Sequence, residues 1–131
     1  MTVNEAITET DAIKPNAFSR ATKLRWLNSL EGQLALEVFL MAPTEVKKNF
    51  IYTADDLETE LLVEPPYDDL YIQWLSAQID AANGEYDRYQ NAMTIFERRK
   101  REFICWFVQL YDPAQGRRFL PTAEEEESDN G

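Results

Sequence analysis

Two adjacent aspartates, Asp68-Asp69, a single cysteine, Cys105, and four consecutive cations, Arg98-Arg99-Lys100-Arg101, are the side chains with the most chemical potential. A pair of carboxylates can move protons or hold a divalent ion when both reach one point. Neighbours on a first helical turn point about 100° apart, and negative charge there also suits a helix N-terminus. Cys105 lies among Ile104, Trp106 and Phe107, a setting in which it is expected to be buried as a small hydrophobe. The four cations spread round a helix instead of forming one stripe. Solvated charge, pairing with acids of a neighbouring copy, and contact with nucleic acid are their three readings.

The missing residue types narrow the chemistry. The chain has no histidine and one cysteine, so the common zinc sites and the Ser-His and Cys-His nucleophile systems cannot be assembled. Its four glycines, Gly32, Gly84, Gly116 and Gly131, are too scattered for a phosphate-cradling loop or a dinucleotide fingerprint. The expectation is a non-enzymatic protein without cofactor or metal. An enzyme built on carboxylates and a metal is the outlying alternative.

Charge points the same way. The formal net charge is −11 over 131 residues, which repels nucleic acid at long range. Asp55, Asp56, Glu58, Glu60, Glu64, Asp68 and Asp69 fall in a stretch without a lysine or arginine, and Glu124 to Glu127 with Asp129 make an acidic C-terminus. A lone cysteine permits no internal disulfide and fits a reducing compartment. The segment Met1–Thr10 lacks the apolar core of a signal peptide, and no 18-residue apolar run offers a membrane span. A cytoplasmic site of synthesis and assembly is expected.

The elements that must position these groups are helical. The length fits one domain, here expected over 1–112, with a flexible acidic tail over 113–131. A first short helix is expected over 2–13, with Thr2 as cap and Glu5 as its reciprocal carboxylate. A second is expected over 19–41: Ser19 caps it, Leu24, Leu27, Leu30, Leu34, Val38 and Met41 form the stripe, Trp26 lies off it, and Pro43 is the stop. Residues 44–66 read as a long acidic connection anchored at both ends, a candidate contact arm. Pro65-Pro66 leads into a third helix over 67–82, which Asn83-Gly84 ends. The fourth and longest, 85–111, carries Tyr86, Tyr89, Met93, Phe96, Phe103, Phe107 and Leu110 at alternating three- and four-residue steps. The class is thus all-α: a bundle of about four helices, with Leu27, Leu30, Leu34, Leu70, Trp74, Ile79, Met93, Phe96, Phe103 and Phe107 as its expected core. The aromatic series Tyr67, Tyr71, Trp74, Tyr86 and Tyr89 reads as packing around the Asn83-Gly84 turn, or as the rim of a subunit interface.

Several blocks resemble a known family. Met1-Thr2-Val3-Asn4-Glu5-Ala6-Ile7, Lys14-Pro15-Asn16 and Trp26-Leu27 are similar to small proteins encoded near the capsid genes of prophages in Gram-positive bacteria. The fullest block runs Leu61-Leu62-Val63-Glu64-Pro65-Pro66-Tyr67-Asp68-Asp69-Leu70-Tyr71, then Trp74-Leu75, Ala77-Gln78-Ile79-Asp80 and Ala82-Asn83-Gly84-Glu85-Tyr86-Asp87-Arg88-Tyr89. It resembles the head–tail connectors (adaptors) of tailed bacteriophages. The likeness covers most of 1–111 and is densest over 61–96. The chain departs from the pattern at Arg98–Arg101, at the following Phe103-Ile104-Cys105-Trp106-Phe107, and in its acidic tail.

The resemblance implies a structural protein of the virion neck, assembled in the host cytoplasm. It would form a homo-oligomeric ring, commonly of twelve copies, below the portal protein. It would extend the DNA channel without binding DNA specifically and would dock a downstream stopper or tail protein. A ring needs head-to-tail surfaces, so Asp55, Asp56, Glu58, Arg98, Arg99, Lys100, Arg101 and Trp26 are the candidate inter-subunit or portal contacts. The reading from a different class is a small acidic regulatory or assembly-chaperone protein that binds one partner.

Overall fold

The computed structural model describes residues 1–49, 51–112 and 117–118. The described residues are mostly helical, and the all-α class holds. They form five α-helices: α1 (Val3–Ile13), α2 (Arg20–Glu37), α3 (Pro43–Asn49), α4 (Leu70–Ala82) and α5 (Tyr86–Leu110). Short 3-10 turns occupy Ala54–Asp56 and Tyr67–Asp69. The chain divides into two compact units, Met1–Lys100 and a second beginning at Arg101, and α5 runs across the division.

In the first unit the helix starts are set by side-chain caps. Thr2 accepts from the Glu5 amide, and the Glu5 carboxylate accepts from the Thr2 amide, a reciprocal capping box. Ser19 accepts from the Thr22 amide at the start of α2. Gly84, at φ 76°, follows α4 in the left-handed conformation that glycine adopts without penalty.

Helix α2 ends at Glu37, four residues short of the expected Met41. The Val38 and Phe39 amides both donate to the Leu34 carbonyl, the Met41 amide donates to that of Ala35, and Leu40 takes φ 56°. A leucine in that region costs roughly 1–2 kcal/mol, because its Cβ crowds the following carbonyl. Val38 and Met41 therefore leave the stripe and are only half-buried.

A helix appears where an irregular segment was expected. Pro43, read as the stop of the second helix, instead opens α3. Proline suits a first helical position, because the amide it lacks would have had no partner there. Val46 of α3 packs on α2, where a methyl group at Gly32 would sit 3.6 Å from Val46 Cγ1.

The acidic connection does not stand away from the fold. The Val3 amide donates to the Thr59 carbonyl, Asn4 to Leu57, and the Leu61 amide to Met1. Tyr52, Leu61 and Val63 are buried. Residues 52–63 thus lie across the start of α1 as a strap.

The core of this unit comprises Val3, Ala6 and Ile7 of α1, Leu24, Leu27, Leu30, Leu34 and Ala35 of α2, Leu70, Tyr71, Leu75, Ala77 and Ile79 of α4, and Phe96 of α5. Two expected members, Trp74 and Met93, are only half-buried. Trp74 keeps its indole N–H at the periphery, where it donates to the Trp26 carbonyl at 2.9 Å while its ring leans on Phe96 at 5.3 Å.

In the second unit, Phe103 is buried and its ring meets those of Trp106 and Phe107 at 6.2 and 5.8 Å. Phe107, expected in the core, is half-buried. Cys105 is exposed, not buried; two residues beyond Phe103, it lies about 200° round the helix from the buried side. Tyr111–Asp112 pairs antiparallel with Arg117–Arg118, Tyr111 opposite Arg118. The rest of the expected acidic tail, 113–116 and 119–131, lies outside the described residues. No helix among them is long and apolar enough to cross a membrane.

Candidate functional site

The most concentrated polar chemistry of the first unit lies inside it. Glu31, on the same side of α2 as Leu27 and Leu34, is fully buried. Its Oε1 accepts from the Tyr71 hydroxyl at 2.6 Å, and its Oε2 accepts from the Leu62 amide at 2.8 Å and the Tyr52 hydroxyl at 2.9 Å. The Tyr71 oxygen in turn accepts from the Val63 amide at 2.9 Å. One turn earlier on α2, the Asn28 side chain accepts from the Tyr52 amide at 2.8 Å and donates to its carbonyl at 3.0 Å.

Two side chains of α2 and one of α4 thus satisfy backbone groups of the strap that would otherwise be buried unpaired. Among the described residues, no cation is bonded to Glu31. Burial pushes its carboxyl above the ordinary carboxylate range, and the bonds from Tyr71, Leu62 and Tyr52 only partly oppose that rise. Burial, followed by the charge of Glu31, raises both tyrosine hydroxyls well above their usual value. Each hydroxyl remains a committed donor. The cluster is saturated by its own members, and what it does chemically is clasp the strap to the helices.

Two partly buried ion pairs complete the unit. Lys23 of α2 reaches both oxygens of Asp11 at 2.8 Å, and Lys14, just past α1, reaches Asp80 of α4 at 2.9 Å. Burial would raise the Asp11 carboxyl, but the hydrogen bonds from Lys23 and Asn16 outweigh it and hold the group below its ordinary value.

The candidate contact residues divide between internal and outward roles. Arg99 donates to Asp69 at 2.8 Å and to the Pro66 carbonyl at 2.7 Å, and its guanidinium lies 4.8 Å from the centre of the Tyr67 ring. It therefore ties α5 to the entry of α4. Asp56 accepts from the amide and hydroxyl of Thr53. Trp26 sets its ring edge-on to Phe18 at 5.4 Å and uses its carbonyl for Trp74. Lys100 is half-buried, 6.0 Å from the Phe96 ring. Asp55, Glu58, Arg98 and Arg101 are exposed.

The Asp68-Asp69 pair does not converge: Asp68 lies 3.4 Å from the Met1 amine, and Asp69 binds Arg99. Among the described residues, no group of three or more Cys, Asp or Glu side chains could hold a metal ion. The aromatic series also separates, with Tyr71 buried and Tyr86 two-thirds exposed.

Glu31 went unnoticed in the sequence because a lone glutamate on a helix reads as surface. A signal was present: it follows Leu27 by four and precedes Leu34 by three, inside the apolar stripe. Compared with protein-family models, with curated proteins and with solved structures, the chain matches none.

Proposed function

We propose that the chain is a structural adaptor of a phage neck, forming a ring below the portal that extends the DNA channel and docks the next neck or tail component. The observation that carries this reading is the build of the block over 61–89, where the resemblance is fullest. Leu61 and Val63 are buried anchors, and Leu62 is held to Glu31. Pro65-Pro66 leads through a 3-10 turn into α4, Gly84 ends it, and α5 follows. Anchor, proline entry, helix, Asn-Gly cap and second helix form one clasped scaffold, which suits a part under mechanical load.

On this reading the exposed charges are the contacts. Asp55 and Glu58 face a neighbouring copy, and Arg98 and Arg101 face the portal or the tail component. The ionised surface of a −11 chain lets DNA pass without being gripped. Electron micrographs of the purified protein, alone and mixed with portal, test the proposal. Rings that stack on the portal are expected, and the protein should be found in purified virions. A protein that binds portal transiently and is missing from finished particles would instead fit the assembly-chaperone reading, which the exposed carboxylates of Asp55, Glu58 and Glu64 also favour.

A further inference from the structure

Resting on the ring reading, we infer that the α2–α3 hairpin is the surface on which the acidic strap of a second copy docks. Three large apolar side chains stand out here: Leu36 is 41 % exposed, Leu40 65 % and Ile51 57 %. Leu36 lies in the last turn of α2, Leu40 in the turn that leads to α3, and Ile51 just past the end of α3, a helix about 10 Å long. Lys47 and Lys48 occupy the last turn of that helix, both exposed and without an ion-pair partner among the described residues. Apolar contact flanked by two cations marks a place for an acidic segment.

The backbone adds an independent observation. Leu40 adopts φ 56°, a conformation that glycine or asparagine would hold at less cost. The same position presents the largest of the leucine exposures in the unit. The left-handed turn lets the Met41 amide reach the Ala35 carbonyl and so closes α2; the exposure of the leucine side chain adds nothing to that and is explained if a partner covers it.

Charge identifies that partner. Among the described residues, Asp55 and Glu58 on the strap are exposed and in no ion pair, while Asp56 is bonded to Thr53 and Arg99 to Asp69. The hairpin's lysines and the strap's carboxylates are thus left over together, and one copy does not bring them into contact. A head-to-tail neighbour does, and repetition of that contact closes a ring. The strap is held in shape by Glu31, Asn28 and the start of α1, so it docks as a preformed element.

Sedimentation velocity on the full chain tests this with two charge-reversed variants. Lys47→Glu/Lys48→Glu makes both surfaces acidic, and Asp55→Lys/Glu58→Lys makes both basic. Each alone should associate at least about tenfold more weakly than the parent. An equimolar mixture should regain assembly, because each acidic surface then meets a basic one. Leu40→Gly should weaken association while leaving the melting temperature unchanged or raised, whereas a residue serving only the fold would lower it. Assembly of either charge variant at parental strength, or a mixture no stronger than its parts, overturns the inference. So does a parent that is monomeric up to its solubility limit. Rings that persist through all these variants would leave the adaptor reading standing and remove only this interface; absence of both rings and portal binding would remove the adaptor reading itself.

Discussion

Tyr71 and Glu31 are joined at 2.6 Å, from α4 to α2, and the same tyrosine oxygen receives the amide of Val63. One hydroxyl therefore links two helices and the strap. Its removal in Tyr71→Phe leaves a buried amide without an acceptor and a buried carboxylate short of a donor. A loss of about 2–4 kcal/mol is expected, against about 1–2 for Tyr52→Phe, whose hydroxyl only donates. Chemical denaturation of the two variants checks the ranking.

The charge on Glu31 gives a pH dependence with a definite sign. Its carboxyl is raised above its ordinary value of 4.5 by burial, so the folded state holds its proton more tightly than the unfolded chain does. The stability linked to this group is fully present below 4.5 and is lost as pH rises through the folded value. Asp11 has the opposite sign: with a folded value lowered below 3.8, its contribution is present above that and is lost on further acidification. Glu31→Gln should remove the first component and leave the acid limb in place, so the fall in stability from mildly acidic to neutral pH should flatten. Thermal melts across that range test it. A profile parallel to the parent's would show that Glu31 titrates alike in both states.

Phe96 is the one residue of α5 that is fully buried within the first unit, beside Trp74. Phe96→Ala should cost about 3–5 kcal/mol, from lost transfer energy and the cavity left behind. An unchanged unfolding midpoint would mean that α5 adds little to this unit.

Deleting residues 53–60 separates an arm from a strap. For a free arm, the deleted chain would stay folded and fail only in assembly. Here Thr59 and Leu57 supply acceptors for the Val3 and Asn4 amides at the start of α1. The deletion should therefore lower the melting temperature and, on the adaptor proposal, also abolish joining to particles. A deleted form that melts like the parent would return the segment to the role of an arm.

The helices were legible because their signals are local. The leucines at 24, 27, 30 and 34, the Thr2–Glu5 box, the Ser19 cap and Gly84 each depend on residues within a few positions, and each is found as read. Helix α3 was missed because seven residues are too few to show a period, and its opening proline looked like a stop. The clasp was missed because its parts stand at 28, 31, 52, 62 and 71, and nothing local brings them together. Apart from Trp26, the contact residues were chosen by charge alone. Charge could not tell Arg99, which pairs with Asp69 thirty positions earlier, from Arg98, which faces outward.

The bond from the Trp74 indole to the Trp26 carbonyl also supplies a built-in optical gauge. Both chromophores sit where α2 meets α4, half-sheltered from water, so their emission depends on how closely those helices stay joined. Separation of α2 from α4 would wet both rings at once and shift their fluorescence to longer wavelength. With Trp106 replaced by Phe to silence the second unit, the colour of the remaining light would follow the opening of the clasp, without any label.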